Sequence, residues 1–303
     1  MDVTAAGAER PFALEAHGLC VTGGKKTLLE EFDLVLRQGE VHALIGKNGT
    51  GKTTLLKVLS GMRSPRSGVV ETHGGRMGAL IGEPSFLPEL SGLANAEYLA
   101  YALGVADPAK EAGRVLDLVG LDGDVREEPA GEYSKGQSQR LGIALALVAD
   151  PAVLLFDEPF SFIDLPGVHS IKEVLHQLVQ NRGTAILITS HICDHVIGFA
   201  DRFSFITGKR ITFQASAREI DNLCERYVLL ETGEPERALA VLERTGLGYS
   251  VVLDRAGGIR VKTKTVPPGM VRELEAAGIS VSSVRPYGES YEELFCRLSD
   301  SGR

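Results

Sequence analysis

The stretch GKNGTGKTT, Gly46 to Thr54, sets glycines, a lysine and two hydroxyls at the spacing G-x-x-x-x-G-K-[ST]. Gly46, Gly49 and Gly51 let the backbone curl so that its N–H groups face phosphates at the positive end of a following helix. Lys52 is then placed to reach the β- and γ-phosphates, and Thr53 to ligate Mg²⁺. A second stretch, AVLLFDEP, ends an apolar run in two carboxylates. Asp157 suits the Mg²⁺ shell there, and Glu158 suits the polarisation of an attacking water. A third, AILITSH, ends in His191, where a γ-phosphate would lie if all three runs belong to one sheet.

Each chemical stretch needs an element to hold it. FALEAHGLCVT, EFDLVL and EVHALIG read as strands, and KTTLLKVLS as a helix that begins on the glycine-rich loop. GVVET and MGALIG read as two further strands. From Pro84 to about Gly131 the pattern turns polar and helical, a lobe inserted between strands. Then come the polar island YSKGQSQR, a helix with an apolar face from Leu141, the strand AVLLF, a helix over Pro166 to Arg182, the strand AILIT, and a strand pair near RFSFI and RITFQ. Short, wholly apolar strands alternating with helices predict a mostly parallel sheet covered on both faces. Beyond about Asp221 the order becomes β-α-β-β-α-β-α, which suits a small split βαβ unit of its own.

The chain has 303 residues, enough for about two domains, and a formal net charge of −8. That balance excludes a protein whose main task is to wrap nucleic acid phosphates. Cys20, Cys193, Cys224 and Cys296 are scattered, as in a reducing compartment. His191 and His195 stand four apart, a spacing able to clamp a metal on a helix, but no third ligand is recognisable nearby. No basic segment followed by an apolar stretch opens the chain, so no signal peptide is expected. The apolar run Leu141 to Ala149 is far shorter than the roughly 20 residues of a membrane-spanning helix, so action at a membrane requires a partner.

Taken in order, these stretches resemble the nucleotide-binding domain of an ATP-binding cassette (ABC) transporter over about residues 12 to 215. The loop Gly46, Lys47, Asn48, Gly49, Thr50, Gly51, Lys52, Thr53 and Thr54 looks like its ATP-binding Walker A motif. YSKGQ, with Ser134, Lys135, Gly136 and Gln137, looks like its signature, and LLFDEP like its Walker B. FSFID, ending in Asp164, looks like the D-loop, and TSH like the switch histidine. The resemblance implies a P-loop NTPase fold of class α/β: a mostly parallel core sheet, an antiparallel β-subdomain and a helical subdomain near 84–135, within a domain of residues 1–220. Residues 221–303 then form a small ferredoxin-like α+β domain, similar to the tail of ATPase subunits of ABC-2 type exporters. It further implies ATP and Mg²⁺ as cofactors and Glu158, His191 and Lys52 as catalytic residues. Two domains, a second copy or a sister ATPase, would meet head to tail so that each signature contacts the γ-phosphate held by the other. A separate ABC-2 type membrane permease would place the protein at the cytoplasmic face of the membrane, with no nucleic acid partner.

Three departures stand out. The glutamine usual at the end of MGALIG falls on Gly82, followed by Glu83 as its substitute. An aromatic that usually stacks on adenine would fall near Thr22 or Gly23, and neither is aromatic. A lost base stack weakens binding by about 1–3 kcal/mol, judged from aromatic stacking on nucleic acid bases. Lys135 replaces the signature's usual glycine, and Tyr133 its leucine. The alternatives are a soluble ABC ATPase outside transport and a weakly catalytic nucleotide-binding regulator. A single cassette and the absence of a basic stripe oppose the first, and intact Lys52, Asp157, Glu158 and His191 oppose the second.

Overall fold

The structure, a computed structural model, describes residues 10–24, 26–192, 195–224, 227–244, 251–253, 258–263, 269–287 and 291–300. The leader reading over the first residues, Cys193 within HICDH, and Tyr249, Ser250 and Asp254 of the stretch YSVVLD, read as the second strand of the C-terminal unit, lie outside the described residues. The chain divides into two compact units, one running to Ala217 and taking in the chain again from Leu298, the other spanning Arg218–Arg297.

The first unit opens with β1 (Phe12–Gly23), β2 (Lys26–Arg37) and β3 (Val41–Gly46), followed by α1 (Lys52–Leu59), β4 (Ser67–Thr72) and β5 (Met77–Leu80). The helical lobe holds α2 (Gly92–Ala102) and α3 (Pro108–Leu118). Next come α4 (Lys135–Leu147), β6 (Val153–Asp157), α5 (Leu165–Arg182), β7 (Ala185–Ser190), β8 (Arg202–Thr207) and β9 (Arg210–Ser216), and α6 (Ala217–Leu223) starts at the boundary and belongs to the second unit from Arg218 on. Six strands form one sheet in the order β5-β6-β7-β3-β8-β9, parallel except for β9 at the edge. Every residue of β3, β6 and β7 is buried, which is why these runs are apolar without alternation. The two strands expected after α1 part company. β4 joins β2 and β1 in a separate antiparallel sheet, and only β5 enters the parallel one.

α4 lies close against β5. A Cβ on Gly78 would sit 2.0 Å from the carbonyl oxygen of Ala146, so only glycine permits this approach. In the lobe, Ser91 and Asp107 cap α2 and α3 by accepting from Ala94 and Lys110 N–H. Buried Asn95 staples the entry to α2 by bonding both the N–H and the carbonyl of Leu87.

The second unit comprises β10 (Tyr227–Thr232), α7 (Pro235–Arg244), β11 (Val251–Leu253), β12 (Ile259–Lys262), α8 (Met270–Ala276), β13 (Val281–Tyr287) and α9 (Tyr291–Asp300). Its sheet runs β11-β12-β10-β13, antiparallel throughout. Val228, Leu230, Ala238, Ile259, Met270 and Leu274 fill its core.

Candidate active site

The phosphate loop springs from the C-terminal end of β3. Gly49 and Gly51 have φ of 80° and 101°, the left-handed region that glycine enters without strain. Gly51 serves as N-cap of α1 without any side-chain bond, and no acidic residue occupies the first turn. The helix therefore presents bare N–H groups and the positive end of its dipole. Lys52 is buried, and its ammonium donates to the carbonyls of Gly46 at 2.5 Å and Lys47 at 3.2 Å. Burial lowers its pKa, and the carboxylates of Glu158 and Asp157 oppose that shift.

Parallel registry brings the other groups alongside. β6 and β7 pair with Asp157 opposite Thr189, and β7 pairs with β3. The Thr53 hydroxyl donates to Asp157 Oδ2 at 2.5 Å, and the Thr189 hydroxyl donates to Asp157 Oδ1 at 2.6 Å. Glu158 stands in the left-handed region at φ 50°, with Oε1 bonded to Nδ1 of His191 at 2.7 Å. Its second oxygen, Oε2, is buried without a hydrogen-bond partner. A charge-bearing oxygen left unpaired and shielded from bulk water costs free energy and marks a place for a ligand or water.

Lys52, Thr53, Asp157 and Glu158 open onto a cavity of about 770 Å³, lined also by Asn48, whereas His191 and Thr189 stand behind the two acids and do not line it. Gly49, Gly51, Thr54, Gly82, Glu83 and Lys135 border the same space. Gly46, Lys47 and Thr50 form the turn beneath it, with the Thr50 hydroxyl donating to the Lys47 carbonyl. Ser134, Gly136 and Gln137 do not line the cavity. Ser134 and Gln137 form a reciprocal capping box at the start of α4, and a Cβ on Gly136 would press on the carbonyl oxygen of Phe162 at 2.8 Å. Asp164 leads into α5 and pairs with Arg140 at 2.9 Å. His195 meets Phe160 edge-on at 6.1 Å.

The departures acquire a physical setting. Gly82 has φ 74°, so a glutamine there would be strained, while Glu83 borders the cavity. Neither Thr22 nor Gly23 lines the cavity, and Leu28 does, 2.9 Å from where a Cβ on Gly51 or on Gly23 would lie. Lys135 lies over the ring of Phe162, 5.1 Å from its centre, and Phe162 is itself left-handed at φ 66°. Sequence reasoning missed Leu28, Phe162 and Thr189. The hydroxyl in the otherwise apolar run AILIT was the one available signal for Thr189. It also missed Gln139, whose amide donates to the carbonyls of Glu158 at 3.4 Å and Pro159 at 3.1 Å.

Residues 29–161 match the family model described as ABC transporter. The lantibiotic transport ATP-binding protein SrtF of Streptococcus pyogenes is 32% identical over 222 residues, covering 71% of this chain and 95% of that one. The chain belongs to the ABC transporter ATP-binding family. The bacitracin transport ATP-binding protein BcrA of Enterococcus faecalis is 27% identical over 304 residues, covering 96% of this chain and 97% of its own. A dimeric ATP-binding cassette solved in a post-hydrolysis state with ADP and Pi shares the fold, with a TM-score of 0.63 at 21% identity over 68% of this chain and 99% of that one. Membership makes the protein the ATP-binding and ATP-hydrolysing subunit of an ABC system. Among the described residues, no helix is long and apolar enough to cross a membrane.

Proposed function

We propose that this ATPase powers a separate ABC-2 type permease that exports its cargo, and that the residues gathered around the cavity carry the chemistry. The observation that bears most weight is the pair of carboxylates at the end of β6. Asp157 is tied to the phosphate-loop hydroxyl of Thr53, and Glu158 is tied to His191 with one oxygen left bare. Thr53 Oγ1 and Asp157 Oδ2 are hard oxygen donors side by side, a set that fits Mg²⁺. Bound there, the ion would neutralise charge on the β- and γ-phosphates. Lys52, with residues 46–54, holds the phosphates, and Glu158 orients the attacking water through its free oxygen while His191 fixes the other.

The signature residues Ser134, Lys135, Gly136 and Gln137 act on a second subunit, a copy of this chain or a sister ATPase. The dimeric fold relative and the position of Ser134 outside this chain's own cavity support that reading. Asp164 belongs to the D-loop between the two sites. The permease docks on the lobe near residues 82–97. A groove of about 350 Å³ lined by Met62, Met77, Leu99, Leu103 and Leu145 runs there, and Glu83 borders both groove and nucleotide cavity. Docking would hold the protein at the cytoplasmic face of the membrane. The relatives' lantibiotic and bacitracin transport support an exporter of peptide antibiotics or drugs. The C-terminal unit is a ferredoxin-like domain distinct from a cassette that ends near residue 220.

Purified protein with Mg-ATP is expected to hydrolyse ATP, and Glu158→Gln is expected to retain ATP binding, lose about 10²–10⁴-fold in rate and run as a nucleotide-bound dimer on size exclusion. A Glu158→Gln protein that hydrolyses at the wild-type rate would remove Glu158 from the mechanism. Copurification with a polytopic membrane protein tests the transport reading, and copurification with ribosomes or DNA would overturn it.

A further inference from the structure

We infer that Thr189 is a positioning residue which holds both acids of the site in register, an inference that rests on the nucleotide and Mg²⁺ reading above. Thr189 is fully buried at the C-terminal end of β7, directly opposite Asp157. Its hydroxyl does two things at once. It donates to Asp157 Oδ1 at 2.6 Å, and it accepts from the backbone N–H of Glu158 at 3.2 Å. The Thr189 carbonyl shares that N–H at the same distance.

The first bond fixes the rotation of the Asp157 carboxylate. With Oδ1 engaged, Oδ2 is the oxygen turned to Thr53, and these two oxygens would hold the cation. The second bond acts on a backbone that has reason to move. Glu158 is a non-glycine residue at φ 50°, a conformation that persists only where its surroundings enforce it. Two residues further along the same chain, His191 fixes the Glu158 side chain. One strand end therefore sets the metal-binding carboxylate, the catalytic backbone and the catalytic carboxylate together. A valine is nearly isosteric with threonine, so it keeps the packing and removes only the hydroxyl. Such a partner behind a metal ligand is worth about 10–100-fold in metal affinity or activity.

The test measures binding of a fluorescent ATP analogue in EDTA and in Mg²⁺, together with hydrolysis across a Mg²⁺ titration. Thr189→Val is expected to bind the analogue in EDTA within about two-fold of wild type. Its half-saturating Mg²⁺ should rise, and its kcat fall, by about 10–100-fold. Thr189→Ser, which restores the hydroxyl, should recover both to within about three-fold. If Thr189→Val does not fold, Thr189→Ala gives the same contrast with Thr189→Ser in a smaller volume. Wild-type Mg²⁺ dependence in a folded variant without the hydroxyl overturns the role of Thr189. Wild-type protein that binds the analogue alike with and without Mg²⁺ overturns the metal assignment instead.

Discussion

Acidification from pH 7 to pH 5 should weaken the cassette through one buried imidazole. His42 on β3 has no solvent exposure, and its Nε2 lies 2.7 Å from the hydroxyl of Ser204. Burial is the main force that lowers its pKa from 6.5 to about 3, with Arg202 adding to the shift. Protonation therefore takes place in the unfolded chain well before it takes place in the fold. Stability contributed by the neutral ring is complete above pH 6.5 and is lost as the pH falls from there toward 3. At pH 5 the unfolded histidine lies about 1.5 pH units below its midpoint while the native ring is still neutral, a loss of about 2 kcal/mol at 1.36 kcal/mol per unit. Neighbouring Glu40 works in the opposite sense, since burial raises its pKa and its protonation favours the fold as the pH falls. A His42→Gln variant, which keeps a polar group toward Ser204 but cannot titrate, separates the two. Urea unfolding followed by far-UV circular dichroism at pH 7 and pH 5 should show wild type losing about 2 kcal/mol more than the variant. Equal losses in the two proteins would show that His42 is not held neutral by its burial.

Three further outcomes follow from the same geometry. Ser134→Arg removes the cap of α4, worth about 1 kcal/mol, and should abolish hydrolysis while ATP binding to the protomer stays within about two-fold. Loss of that binding would place the signature in its own chain's site. Lys135→Gly should retain hydrolysis although Lys135 borders the cavity, because glycine is the residue usual in the signature there and the ammonium lies over the ring of Phe162; a steady-state rate lost in the variant would show that the ammonium itself is needed. Gly78→Ala drives a methyl into the carbonyl of Ala146 and should destabilise the unit by about 1–3 kcal/mol, read as a Tm lowered by about 2–12 °C.

The contrast between β4 and β5 shows how far periodicity reaches. Both runs read as strands in GVVET and MGALIG, but the sheet each one joins depends on partners far away in the chain, β1 for one and β6 for the other. Likewise β5 stops at Leu80 because the backbone turns to the left-handed region at Gly82, which no alternation pattern foretells. Leu28 and Gln139 escaped notice for a similar reason. Each is an ordinary residue at the surface of its own element and gains meaning only from what is folded against it.

The sequence by itself determined the chemical inventory. Glycines that permit a phosphate loop, Lys52 and Thr53 at its end, and two acids closing an apolar strand are local facts, since backbone freedom and strand burial act on neighbouring residues. Ser134 and Gln137, which the structure joins in a capping box at the start of α4, also belong to these local facts, because such a box closes within four residues. The tertiary structure alone decided which oxygen of Asp157 faces Thr53, why Glu158 keeps one oxygen bare, and that a threonine on β7 steadies both. Hydrogen bonds of under 3 Å between residues more than thirty positions apart are set by the register of parallel strands, and that register exists only once the whole sheet has packed.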